Sequence, residues 1–218
     1  MNKPYGSADA LPTVIPVFPL PGALLLPRGQ MPLNIFEPRY LSMIDDAFKS
    51  HRVIGMVQPD AERILDKHGL YATGCAGRIT SFSETGDGRY LVTLTGIARY
   101  TIIEEMTVMT PYRQCRVDFS GFMHDFDSAA GEGDVDREGL LRTLRNFADA
   151  HGLSVDWSGI DDAPNDALVN ALSMMSPFGP REKQALLEAS DLKTRADVLI
   201  AIAEIELARD AGETRSLQ

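Results

Sequence analysis

Near residue 122 the chain changes its rule of construction, and that change limits the possible folds more than any other feature. Before it, short apolar and β-branched runs alternate with Gly and Pro; after it, apolar residues recur at three- and four-residue spacing. A period of two calls for strands and a period near 3.6 for helices, so an α+β chain is expected, with strands first. Thr13-Val14-Ile15-Pro16-Val17-Phe18 reads as a strand ended by Pro19. Its prolines place it at an edge or in a bulged run, because Pro donates no ladder hydrogen bond. Met31–Phe36 and Val53–Val57 are further short strands. Between them Pro38–Lys49 reads as a helix, with Tyr40, Met43, Ile44, Ala47 and Phe48 on one stripe and Pro38 in the first turn, where its missing N–H costs nothing.

Gly74–Glu84 and Arg89–Thr95 flank Thr85-Gly86-Asp87-Gly88, a hairpin signal because Gly and Asp tolerate positive φ. Ile97–Glu105 continues the meander past a bend or bulge at Gly96, and Tyr112–Phe119 adds one more strand. Six or seven short strands with one embedded helix suggest a small closed or half-closed barrel over residues 1–120. Residues 121–138 interleave Gly121, Gly131 and Gly133 with Asp125, Asp127, Glu132, Asp134 and Asp136. Glycines and like charges oppose packing, so this acidic stretch is expected to be a mobile loop or linker. Residues 139–218 then read as an α-helical subdomain. Its helices run over Arg137–His151, with Gly152 at the C-terminal cap; from Asn165, as N-cap, to about Met175; Pro180–Ala189; and Asp191–Asp210.

At 218 residues a folded chain buries roughly 70% of its unfolded surface and needs no metal or disulfide. Cys75 and Cys115, 40 residues apart with no ligand-spaced partner, read as buried free thiols. The net charge of −10, from 21 basic and 31 acidic residues without a Lys/Arg cluster, opposes nucleic-acid binding, which draws on basic side chains. No apolar run approaches the roughly 20 residues that span a bilayer, and residues 1–11 lack a basic run followed by an apolar segment. No membrane contact and a reducing cytoplasm are therefore the expectation.

The chemistry-bearing motifs are missing. Nucleotide hydrolysis needs a Gly-rich loop closing on Gly-Lys-Ser/Thr, and the chain contains no Gly-Lys pair. His51, His68, His124 and His151 show no His-Glu-x-x-His spacing. Imidazole and carboxylates crowd together only at His124-Asp125-Phe126-Asp127, a glycine-flanked setting ill suited to holding a metal. There is no Gly-x-Ser-x-Gly elbow, although a Ser–Lys pair needs no sequence signature. No catalytic residue, cofactor or metal is expected. What remains is apolar: Leu24-Leu25-Leu26 in a turn-rich loop, and Met174, Met175 and Phe178 at a helix junction. Each group fits either a core plug or a sticky surface, since Met adapts to varied partners as readily as it fills gaps.

Ile15-Pro16-Val17-Phe18-Pro19-Leu20-Pro21, then Leu26-Pro27-Arg28-Gly29-Gln30-Met31-Pro32-Leu33-Asn34-Ile35-Phe36-Glu37-Pro38-Arg39-Tyr40, resemble the N-terminal substrate-binding domain of Lon ATP-dependent proteases. Gly74–Ile79 and Tyr90–Tyr100, with its Gly96-Ile97-Ala98-Arg99-Tyr100 turn, look like that family's central meander. One departure is Leu26-Pro27-Arg28-Gly29, where an aromatic and a Pro-Gly pair are usual. The resemblance implies a PUA-like β pseudobarrel with a C-terminal helical part, and nothing that corresponds to the ATPase or Ser–Lys protease domains of full-length Lon.

It further implies a non-catalytic module that binds unfolded or degron-bearing polypeptide, an adaptor or regulator in protein quality control with a protease or chaperone as possible partner. Leu24, Leu25, Phe36 and Tyr40 are the nearest binding candidates, and Glu37 with Arg39 a structural clamp joining helix to barrel. Two other classes stay open. A PUA-like RNA-binding protein would show a basic groove, and a small hydrolase with an unrecognised site would turn over a substrate.

Overall fold

A computed structural model describes residues 5–60, 69–127, 131–152, 154, 157, 160 and 163–216. Six strands, β1 (Val14–Pro19), β2 (Gln30–Ile35), β3 (Val53–Val57), β4 (Thr73–Glu84), β5 (Tyr90–Glu105) and β6 (Gln114–Asp118), precede four of the five α-helices among these residues. α1 (Pro38–Phe48) lies between β2 and β3. The others are α2 (Arg137–Ala150), α3 (Asn165–Met175), α4 (Pro180–Glu188) and α5 (Leu192–Ser216).

The strands run in the order β2-β5-β4-β3-β1-β6, and β6 pairs again with β5. Five of them therefore close a ring of hydrogen bonds, and β2 lies outside it. The length of β5 makes this possible: Tyr90–Thr95 pair with β2, and the far end, from Thr101, pairs with β6. Of the two placements expected for β1, an edge or a bulged run, the ring excludes the first. That strand is not an edge, because Val14–Pro16 pair with β6 and Val17–Pro19 with β3. Each half uses a different neighbour, so Pro16 and Pro19 interrupt no two-sided ladder.

The bend at Gly96 has a backbone cause. Opposite it the β4–β5 register shifts between Ala76 and Gly77. The loop after β1 docks there through Arg28 N–H to the Gly96 carbonyl (2.9 Å) and Gly96 N–H to the Gly29 carbonyl (2.8 Å). A Cβ at Gly96 would collide with the Leu26 carbonyl, so only glycine admits this approach.

The two strand faces feed two cores. One gathers Ile15, Val17, Val53, Ala76, Ala98, Tyr100, Cys115 and Val117. The other joins Phe18, Leu24–Leu26, Met43, Ile44, Ile54 and Leu94 to Leu140, Leu144, Phe147, Leu168, Val169 and Leu199 of the helices. Strands and helices thus share one apolar cluster rather than meeting through a solvated seam.

The acidic stretch expected to be mobile is instead docked at its described residues. Ser120–Phe126 form a 3-10 turn and Asp125 is buried, because the Arg99 backbone and guanidinium both donate to its carboxylate. Glu132 accepts the N–H groups of Asn165 (2.9 Å) and Asp166 (2.7 Å). It thereby caps α3 from a distance, and the cap expected of Asn165 is not made. The Asn165 side chain instead accepts from Arg137 and donates to the Glu132 carbonyl. Two carboxylates that looked repulsive in the sequence have found donors, and this offsets the cost of ordering the segment.

Candidate functional site

The loop after β1 turns back on itself through Pro27 and Arg28. Arg28 adopts the left-handed region (φ 65°), and such a conformation persists in a non-glycine residue only when its surroundings hold it. Here they do: Nε donates to Asp166 Oδ2 at 2.7 Å and Nη1 to the Asp125 carbonyl at 2.9 Å. The Asn170 side chain donates to the Pro27 carbonyl at 3.2 Å. The loop is thereby fixed against α3.

Between this loop and α3 runs a groove of about 560 Å³. Gly29, Gln30, Met31 and Pro32 form one wall, and Leu24 lies among its lining residues. The opposite wall is Asp166, Ala167, Asn170, Ala171, Met174 and Met175, one face of α3 at helical spacing. Two alanines keep the helix wall low, and three methionines supply adaptable apolar edges. Met175 is 82% exposed. The C-terminal end of α3 is held by buried Lys183, whose Nζ donates to the Met174 carbonyl at 2.6 Å; burial lowers that ammonium's pKa. The charge in the groove is the Arg28–Asp166 pair at one end.

The candidate residues read from the sequence do not converge. Leu24 reaches the groove although it is 2% exposed, and Leu25, 1% exposed, is a core plug. Phe36 is exposed beneath the Arg89 guanidinium, 6.0 Å from its ring centre. Tyr40 is buried against Phe18, with ring centres 4.3 Å apart, and faces a separate cleft with Arg39, Tyr112 and Arg113. Burial raises its phenol pKa.

The clamp assignment needs correction. Arg39 pairs with Glu37 at 2.7 Å, but both side chains are exposed and they stand two residues apart, so the pair ties nothing distant together. Arg99 performs that role. Its guanidinium is 1% exposed and bonds Asp125 as well as the Leu187 and Ala189 carbonyls at the C-terminal end of α4. The available signal was an arginine set between Ala98 and Tyr100 in an apolar strand, a position that demands a buried partner.

Neither cysteine is among the residues that line the groove, and both are buried. Burial pushes the Cys75 thiol well above its ordinary range and the Cys115 thiol up to about 11, which suppresses the nucleophilic thiolate. Among the described residues no three His, Cys, Asp or Glu side chains are grouped to hold a metal, and no helix is long and apolar enough to cross a membrane. His124 lies 3.6 Å from Asp125 and 2.7 Å from the Arg99 guanidinium. His151 caps α2 and stacks on Phe147. His68 lies outside the described residues.

Residues 14–204 match the model of the ATP-dependent protease La (LON) substrate-binding domain. The chain belongs to this family. Both walls of the groove fall within the matched Lon span. Lon protease 2 of Sorangium cellulosum (strain So ce56) is 26% identical over 99% of this chain and 27% of its own length. For Lon protease 2 of Myxococcus xanthus the figures are 25%, 89% and 24%. The chain therefore spans about a quarter of the length of these curated relatives.

Two solved structures share the fold. The Lon N-terminal domain protein from Xanthomonas campestris superposes with a TM-score of 0.62 at 21% identity, covering 87% of this chain and 98% of that one. The N-terminal domain of Mycobacterium avium complex Lon protease gives 0.64 at 18%, with 88% and 98% covered.

Proposed function

We propose that this chain is a non-catalytic polypeptide-binding module, which holds an apolar segment of an unfolded or degron-bearing protein in the groove between residues 27–32 and α3. The observation that carries this reading is the methionine edge of Met31, Met174 and Met175 around an apolar trough whose loop wall is fixed against α3 by polar bonds. A preshaped trough loses little entropy on binding, and thioether edges accept many side-chain shapes. Membership of a substrate-binding family supports a polypeptide occupant.

In this reading the ring of strands is a PUA-like pseudobarrel, residues 139–218 its helical subdomain, and residues 121–138 the connection between them. The protein acts in the cytoplasm as an adaptor or regulator of quality control beside a protease or chaperone. Recognition rests on the three methionines with Leu24 behind them, rather than on Leu25, Phe36 or Tyr40.

The test is titration of a labelled, chemically unfolded protein into the purified chain, followed by fluorescence anisotropy. Saturable association in the micromolar range with no cleavage of the probe is expected. No association, or consumption of the probe, overturns the reading.

A further inference from the structure

Among the described residues β2 pairs only with β5, which leaves its other edge free. The ladder fixes which backbone groups lie along that edge. Gly96 N–H donates to the Gly29 carbonyl, so Gly29 and Gly96 form a hydrogen-bonded pair. In an antiparallel ladder such pairs alternate with non-bonded ones. Met31, Leu33 and Ile35 therefore turn their backbone groups to β5, opposite Leu94, Val92 and Tyr90. Gln30, Pro32 and Asn34 turn theirs outward. Pro32 agrees with this phase, because it has no N–H to give a ladder.

The free edge thus offers the N–H groups of Gln30 and Asn34 as donors and the carbonyls of Gln30, Pro32 and Asn34 as acceptors. None of these groups bonds another described residue. The same edge borders the groove, because Gln30, Met31 and Pro32 line it with α3 across from them. At Gly29 loop and helix touch, since a Cβ there would strike Met174 Sδ. An occupant must answer the edge with backbone donors and acceptors at every second residue, about 6.6–6.8 Å apart. An extended polypeptide does so. A helix does not, because its N–H and C=O groups bond internally. A second copy of β2 is a poor match: aligned antiparallel about a two-fold axis, it sets Pro32 against Pro32, and neither has an N–H to donate.

We infer that β2 takes up an extended segment of the bound polypeptide as an added strand, paired through the backbone of Gln30, Pro32 and Asn34. This rests on the polypeptide-binding reading above and states how the chain is held. Backbone pairing supplies an attraction that ignores the sequence of the segment. Side chains of the added strand alternate between its two faces, so every second one meets the methionine edge and the others turn away. The preferred segment is therefore extended, apolar at alternate positions and free of proline where its N–H groups face β2.

The experiment uses the full chain, labelled with nitrogen-15, and the chemically unfolded protein of the binding titration as probe. Saturating probe is expected to slow hydrogen exchange at the Gln30 and Asn34 amides by about tenfold or more, because both gain acceptors. The Met31, Leu33 and Ile35 amides, already paired with β5, are expected to change little. Asn34→Pro removes one outward N–H and spares the β5 ladder. It is expected to weaken probe binding by about three- to tenfold, the value of a lost hydrogen bond.

The exchange measurement decides even if that variant does not fold. Association by anisotropy with unchanged exchange at Gln30 and Asn34 overturns strand addition and leaves polypeptide binding in the groove standing. Undiminished binding by a folded Asn34→Pro chain overturns it too. Absence of any association brings down both readings together.

Discussion

Replacing Asp125 with Ala tests whether Arg99 is the strut that joins strands to helices. The pair is 1% and 5% exposed, and Arg99 reaches Asp125 through Nε and Nη2 at 3.0 and 2.8 Å as well as through its backbone N–H. Deleting the carboxylate leaves a buried guanidinium uncompensated, which costs about 3–5 kcal/mol when one partner of a buried pair is removed. The Arg99 backbone donor also loses its acceptor. Against a total stability of about 5–15 kcal/mol this is a large fraction. At roughly 2–4 °C per kcal/mol for a chain of this size, Tm should fall by about 6–20 °C. Asp125→Asn keeps an acceptor oxygen and should fall between the parent and Ala. The assay is urea and thermal unfolding followed by circular dichroism. A loss for Asp125→Ala below about 1 kcal/mol, the value of an exposed ion pair, would refute the reasoning. Arg99 would then be a bystander.

Arg39→Ala should cost less than about 1 kcal/mol in the same assay, because its pair with Glu37 is exposed and local. Gly96→Ala should lose about 1–3 kcal/mol or more through overpacking against the Leu26 carbonyl, measured by urea midpoint. Met175→Lys, at an 82% exposed position, should leave Tm within about 2 °C. It should weaken binding of an unfolded probe about tenfold, a loss of roughly 1.4 kcal/mol read by anisotropy. Both cysteines should resist iodoacetamide in the folded protein from pH 7 to 9 and react on unfolding, counted by mass spectrometry. Burial raises both thiols, so the folded state disfavours the thiolate throughout that window and the unfolded state releases it as pH rises.

Local periodicity set out nearly every element. The stripe Tyr40, Met43, Ile44, Ala47 marked α1, and Pro177 and Pro180 separated α3 from α4, because these signals lie within a few residues and describe the backbone directly. Gly96 was legible as a bend because only glycine tolerates the backbone contact found there. The family strings from Ile15 to Tyr40 pointed to the Lon substrate-binding domain that the match over residues 14–204 establishes.

What the tertiary structure decided are pairings between residues far apart in the chain. Arg99 with Asp125, Glu132 with the start of α3, and Arg28 with Asp166 join groups separated by between 26 and 138 positions. Neither partner's neighbours in sequence announce the other. The groove has the same origin: Met31 and Met174 become opposite walls only when the loop after β1 docks on a helix more than a hundred residues later. Whether a charge is buried and paired, or an apolar side chain exposed, depends on what the fold brings alongside it. A one-dimensional pattern records spacing along the chain and is blind to that.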